Sequence, residues 1–148
     1  MIDAISVRPA RKVDVPILAS MNEELLRSEG GPSTLSTGAL ASRMTAFLDH
    51  GYEAHLVELG EDLIGYVLFR RDVDHVFIRQ FYVASGQKPE IERRVVNWMM
   101  EKVWPGERLV LRVRSASEPL RRFWQSFGFE PSYSALEWSP PTDEAPAG

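Results

Sequence analysis

The stretch from Val76 to Val103 constrains the fold most, because it reads as a strand running through a short loop into a helix. Val76-Phe77-Ile78-Arg79-Gln80-Phe81-Tyr82-Val83 has the apolar and aromatic character of a buried strand, and the segment opening Pro89-Glu90-Ile91-Glu92-Arg93-Arg94 reads as helix. Where a strand ends at a helix N-terminus, free backbone N–H groups and the positive end of the helix dipole face outward and suit a phosphate. Here that helix start carries Glu90 and Glu92, which oppose an anion.

The rest of the chain can be placed around this unit. Ile5-Ser6-Val7-Arg8 reads as a first strand closed by Pro9. Asp14 is placed to cap a helix with Pro16 in its first turn and an apolar stripe of Ile17, Leu18, Met21 and Leu25. Ser28 to Ser33 is turn chemistry, and a second helix follows the Ser36-Thr37 cap, with Leu40, Met44, Phe47 and Leu48 on one side, ending near His50-Gly51. From Tyr52 the period changes to that of a hairpin, with strands around Ala54–Leu59 and Leu63–Phe69 joined by Gly60-Glu61-Asp62. After the helix, Trp104-Pro105-Gly106 stops it and Leu109 to Val113 forms a strand. Ser117 is placed to cap a last helix that holds Pro119, Leu120, Phe123, Trp124 and Phe127 and ends at Gly128; one strand follows between Ser132 and Trp138. The order implies an α/β protein with a central mixed sheet flanked by about four helices, one domain over residues 1–138, and a proline-rich disordered tail over 139–148.

Composition narrows the function classes. A formal net charge of -4 gives no general pull toward nucleic acid or acidic membrane, and the absence of cysteine excludes disulfides, thiolate chemistry and cysteine-ligated metals. His50 and His55 have no metal-ligand spacing and read as surface or turn residues, so no metal is expected. No signal peptide or membrane span is recognisable, and the expected location is cytoplasmic, with no nucleic-acid and no membrane partner. The many aromatic residues leave surface pairing into a homodimer open.

The element order, together with three short motifs, resembles the GNAT superfamily of acyl-CoA-dependent N-acyltransferases over residues 5–138. Val7-Arg8-Pro9-Ala10 followed by Asp14 is similar to that family's opening. Ile78 to Val83 resembles the fourth strand of one bacterial subgroup, and Phe123-Trp124-Gln125-Ser126-Phe127-Gly128-Phe129 resembles the close of the family's last helix. The resemblance implies a fourth strand that splays from the fifth, often at a bulge, with backbone groups of Phe81, Tyr82 and Val83 binding the pantetheine of acetyl-CoA. It also implies a pyrophosphate loop of the form R/Q-x-x-G-x-G/A at the helix start, which would draw on Gln87, Lys88, Arg93 and Arg94, while Ser117 and Trp124 occupy cofactor-facing positions of the last helix.

This sequence departs from the family at that loop. Counting forward from Val83 aligns Lys88 to Arg93 with the motif, and counting back from Trp104 aligns Gln87 to Glu92; neither register holds a glycine. Side chains at those positions hold a pyrophosphate off the backbone, and Pro89 lacks an N–H donor. A carboxylate ~4 Å from a phosphate repels it by ~1 kcal/mol per charge pair even in water. Lys88, Arg93 and Arg94 offset part of this. As helix features the glutamates are easily explained, since both sit in the first turn and Glu90 is spaced i,i+4 from Arg94. On a helical projection Ile91, Val95, Val96, Trp98, Met99, Met100 and Val103 form an apolar arc, into which Glu92 projects.

The family's usual proton donor, a tyrosine on the last helix, is replaced by Trp124, whose indole is no useful acid. Tyr82 and Tyr133 remain as proton donors. Glu58, Asp72, Asp74 and His75 remain as candidate bases, Arg79 and Gln80 being unable to serve; of all these Tyr82, Glu58 and His75 are the catalytic candidates. Two functions follow. One is an N-acetyltransferase acting on a small-molecule or peptide amine. The other is a GNAT-fold protein that no longer binds acetyl-CoA normally and instead binds or regulates a protein partner.

Overall fold

A computed structural model describes residues 4–29, 35–87, 89–112, 118–132 and 135–141 of the chain. Its strands are β1 (Ile5–Pro9), β2 (Tyr52–Leu59), β3 (Asp62–Arg71), β4 (Val76–Val83), β5 (Leu109–Arg112), β6 (Glu130–Ser132) and β7 (Ala135–Trp138). Its α-helices are α1 (Val15–Ser28), α2 (Thr37–Asp49), α3 (Pro89–Trp98) and α4 (Glu118–Gln125). The strands form one mixed sheet in the order β1-β2-β3-β4-β5-β7-β6, antiparallel throughout except for the parallel pair β4 and β5. This is the α/β architecture read from the sequence, with one more strand. The single strand expected between Ser132 and Trp138 is two antiparallel strands, because the chain already pairs at Glu130. Pro131 conceals β6 in the sequence; an edge strand tolerates the missing N–H. The expected tail falls mostly on 142–148, outside the described residues.

Helix boundaries follow local chemistry. Ser36 caps α2 by accepting from the Ala39 N–H at 3.1 Å, and Gly51 reverses the chain with φ of 92°. At α1 the cap differs from the sequence expectation. Asp14 occupies the N-cap position, but its carboxylate accepts from the Arg11 N–H at 2.8 Å within a preceding 3-10 turn and makes no cap bond to α1. The α1 stripe is also rotated: Val15, Leu18, Ala19, Met21 and Asn22 are buried, whereas Ile17 is exposed. The helix after β4 widens into a π-helical turn over Met99–Val103, closed by the Trp104 N–H donating to the Met99 carbonyl at 2.7 Å.

Two cores lie on opposite faces of the sheet. On one face α1 and α2 pack Leu18, Met21 and Met44 against Leu56, Tyr66 and Leu68. On the other, Ile91, Val95, Val96 and Met99 pack against Val57, Val67, Phe69, Val76 and Ile78, joined by Trp104 from the C-terminal end of the π turn and Trp124 of α4. Truncating a fully buried leucine such as Leu18 to alanine would cost about 2–5 kcal/mol.

The register of β4 sets the site. Leu68 pairs with Gln80, but Phe69 pairs with Ile78, so Arg79 is the extra residue of a β-bulge. Simple alternation would place Gln80 beside Ile78 in the α3-side core. The bulge instead turns Gln80 onto the α1/α2 face, with Phe81 on the α3 side. Among the described residues Val76, Phe77 and Ile78 pair with β5.

Candidate active site

A cleft of about 700 Å³ lies beside the end of β4 and is bordered by Leu111 and Arg112 of β5. One half is apolar. Phe81 meets Trp124 edge-on at 5.2 Å and Phe123 at 6.3 Å between ring centroids, and Leu111 and Leu120 complete this wall. The other half is polar and is lined by Arg43 of α2, Arg79 and Gln80 of β4, and Glu24 and Glu29 at the end of α1. Tyr82 stands in the cleft with its ring 6.0 Å from that of Tyr66. Burial, and secondarily the charge of Glu24, raises its hydroxyl above the ordinary tyrosine range, so it remains a protonated O–H at neutral pH.

A buried polar chain supports the floor. Asn22 Nδ2 donates to the Tyr66 hydroxyl at 3.2 Å, and that hydroxyl donates to Gln80 Oε1 at 2.7 Å. Burial holds the Tyr66 pKa well above the usual value, so its proton stays on to make this bond. None of this is visible as local pattern. The one signal is Asn22, a polar residue on the buried stripe of α1, where it needs a partner.

At the start of α3 the three first-turn side chains diverge. Glu90 points to solvent, Ile91 is buried in the core, and Glu92 is half-buried and lines the cleft. Ile91 therefore does not obstruct the cleft. Glu92 has no hydrogen-bond or ion-pair partner among the described residues, and burial raises its carboxyl pKa. The loop does hold one glycine, Gly86, at φ of 93°, but it lies ahead of the helix start, where Pro89 offers no donor.

The other sequence candidates are dispersed. Phe81, Tyr82, Val83 and Trp124 line the cleft; Gln87 and Arg94 are not among its lining residues; Lys88, Ser117 and Tyr133 lie outside the described residues. Arg93 turns away to α4, donating to Ser126 Oγ at 2.9 Å with its guanidinium 4.7 Å from the centre of the Phe127 ring. Glu58 accepts from Arg8 Nε at 2.8 Å and does not line the cleft. His75, bonded to Asp74 at 2.7 Å and 3.2 Å from Asp72, precedes β4 at the end away from the cleft, roughly 23 Å along an extended strand from Tyr82. His55, expected at the surface, is buried against Phe69, because β2 turns it into the α3-side core; His50 is exposed as expected. Among the described residues no group of three or more His, Cys, Asp or Glu is arranged to hold a metal ion, and no helix is long and apolar enough to cross a membrane.

No protein-family model and no curated protein matches this sequence. Solved structures do match, and they show the fold: it is that of the GNAT acetyltransferases. An acetyltransferase from Thermus thermophilus superposes with a TM-score of 0.72 at 16% identity, covering 92% of this chain and 95% of that one. The ribosomal-protein-S18-alanine N-acetyltransferase of Escherichia coli gives 0.69 at 14% identity over 96% and 99% of the two chains. PaiA N-acetyltransferase from Thermoplasma acidophilum, solved in complex with coenzyme A, gives 0.66 at 14% identity over 90% and 96%.

Proposed function

We propose that this chain is an acyl-CoA-dependent N-acetyltransferase that moves an acetyl group from acetyl-CoA to a primary amine of a small molecule or peptide. The observation that carries the reading is the cleft lined by the end of β4, Gln80 to Val83, together with Leu111 and Arg112 of β5 and with α4. Its apolar wall of Phe81, Leu111, Leu120, Phe123 and Trp124 suits the pantetheine arm, and backbone groups of β4 lie along it. A thioester seated there has its carbonyl oxygen beside preorganised N–H donors, which strengthen their hold as that oxygen takes on charge. The amine nitrogen attacks the carbonyl carbon, the C–S bond breaks, and the sulfur leaves as thiolate. Tyr82, a protonated hydroxyl in the cleft, can deliver a proton to that sulfur, while Glu24 and Glu29 line the side from which an ammonium would approach and shed its proton.

Glu92 favours a second reading, a GNAT-fold protein that has lost normal acetyl-CoA binding and binds or regulates another molecule through the cleft. An unpartnered carboxyl on the cleft wall at the helix start opposes the pyrophosphate, and Pro89 withholds one donor. Calorimetric titration with acetyl-CoA separates the two. Micromolar binding would establish the enzyme's cofactor site, and no heat with no thermal shift at millimolar acetyl-CoA would remove the acetyltransferase reading.

A further inference from the structure

The bulge at Arg79 delivers two adjacent side chains, Arg79 and Gln80, to the same α1/α2 face of β4, where both line the cleft. Arg79 is exposed, with its guanidinium 4.7 Å from the centre of the Phe47 ring and 5.7 Å from that of Tyr52, and it donates to the Tyr52 hydroxyl at 3.3 Å. It forms no ion pair among the described residues, so its charge is held in place by aromatic faces and left for a ligand. Gln80 is held differently. Its Oε1 is taken by the Tyr66 hydroxyl, itself oriented by Asn22, so the carboxamide cannot rotate without breaking a buried bond. Its Nε2 has no partner among the described residues and is the atom left for the cleft.

Both groups therefore present N–H donors and positive potential, and what they can bind is an oxygen anion. The start of α3, where a pyrophosphate would lie, is on the opposite face of β4, which separates this site from the cofactor's phosphates. Glu24 and Glu29 line the same cleft, as does Arg43, and supply the opposite sign. A ligand with a carboxylate at one end and an ammonium at the other meets both requirements. We infer that the acceptor is a free α-amino acid or a close zwitterionic analogue, with its carboxylate on Arg79 and Gln80 Nε2. The inference rests on the acetyltransferase reading for its chemistry, but the recognition it describes exists without the thioester.

The test compares free L-amino acids of small, apolar, aromatic and acidic side chain with their α-carboxamides, which differ only in the anion. Two readouts are taken: CoA thiol release with acetyl-CoA, and thermal shift by the amino acid or amide alone. The expected result is a preference for the acid of tenfold or more in kcat/KM, with a thermal shift for the acid only. In Arg79→Met and Gln80→Leu the ratio falls toward one while the KM for acetyl-CoA is unchanged; a merely structural role would not move that ratio. Gln80→Glu keeps the bond from Tyr66 but replaces the donor with an anion, and should turn the preference to the carboxamide. Equal use of acids and amides, or an unchanged ratio in Arg79→Met, would overturn the inference. Should acetyl-CoA neither bind nor react, the acetyltransferase reading fails on its own. The thermal arm still decides: an acid-specific shift abolished by Arg79→Met sustains the carboxylate site, and no shift at millimolar amino acid removes it.

Discussion

Glu92 is the residue whose ionisation the fold resists. Burial raises its pKa above the ordinary 4.5, so the folded chain favours the neutral carboxyl, and the stability this withholds grows as pH rises through the folded pKa. Glu92→Gln should therefore raise the melting temperature at pH 7, with the difference from wild type closing as pH falls toward about 4.5. If the cleft takes acetyl-CoA, losing one like charge within ~4 Å of a phosphate is worth ~1 kcal/mol, or about a fivefold lower Kd in calorimetry. An unchanged Kd would place the pyrophosphate away from Glu92. Tyr82 gives the complementary kinetic result. If Tyr82 protonates the leaving thiolate as proposed, Tyr82→Phe, which keeps the ring contact with Tyr66, should lower kcat about a hundredfold with the acetyl-CoA KM little changed.

At the scale of elements, β3 and β4 approach closely at Gly65. Gly65 lies opposite Val83, and a Cβ placed on it would run into the carbonyl oxygen of Tyr82. Gly65→Ala should push the end of β4 outward, costing about 1–3 kcal/mol in chemical denaturation and weakening any ligand held by that end of the strand. Wild-type stability in this variant would show that the strand yields freely. The same stretch shows what a sequence can and cannot convey. The existence of β2 to β4 and of α1 to α3 follows from apolar periodicity and from turn residues such as Ser36, Gly51 and Gly60, all local signals. The bulge is not local, because alternation along Ile78-Arg79-Gln80 reads straight through it and the offset exists only in pairing with β3. Phe123 and Trp124 are readable as apolar positions of the last helix, but their meeting with Phe81 on the cleft wall depends on the packing of α4 against β4. The Asn22–Tyr66–Gln80 chain was not, since its bonds span 44 and 14 positions. His75 and Glu58 have suitable chemistry, but the topology sends them elsewhere.

For the whole molecule, the α3-side core carries a group that ties global stability to pH. His55 is 7% exposed and lies against Phe69, whose ring also meets Trp104; its Nδ1 has no hydrogen-bond partner among the described residues, and neither has Trp104 Nε1. Burial lowers the His55 pKa from 6.5; Glu53, 4.0 Å from Nε2, pulls it upward, and Arg71 adds to the depression. A histidine depressed by folding is protonated more readily in the unfolded chain. Its contribution is therefore complete above about pH 6.5, falls as pH drops below that value, and levels off once the folded histidine also protonates. Asp72 and Asp74, whose pKa values the fold lowers from 3.8, lose their contributions only below that value, outside the histidine window. His55→Leu fills the site with apolar volume and removes a buried ring nitrogen without a partner, which should add about 1 kcal/mol above pH 7. The gap from wild type should then widen between about pH 6.5 and 5, with each kcal/mol appearing as about 2–4 °C in the melting temperature. A gap that stays constant across that range in paired thermal melts would mean that His55 takes up its proton without opening the core.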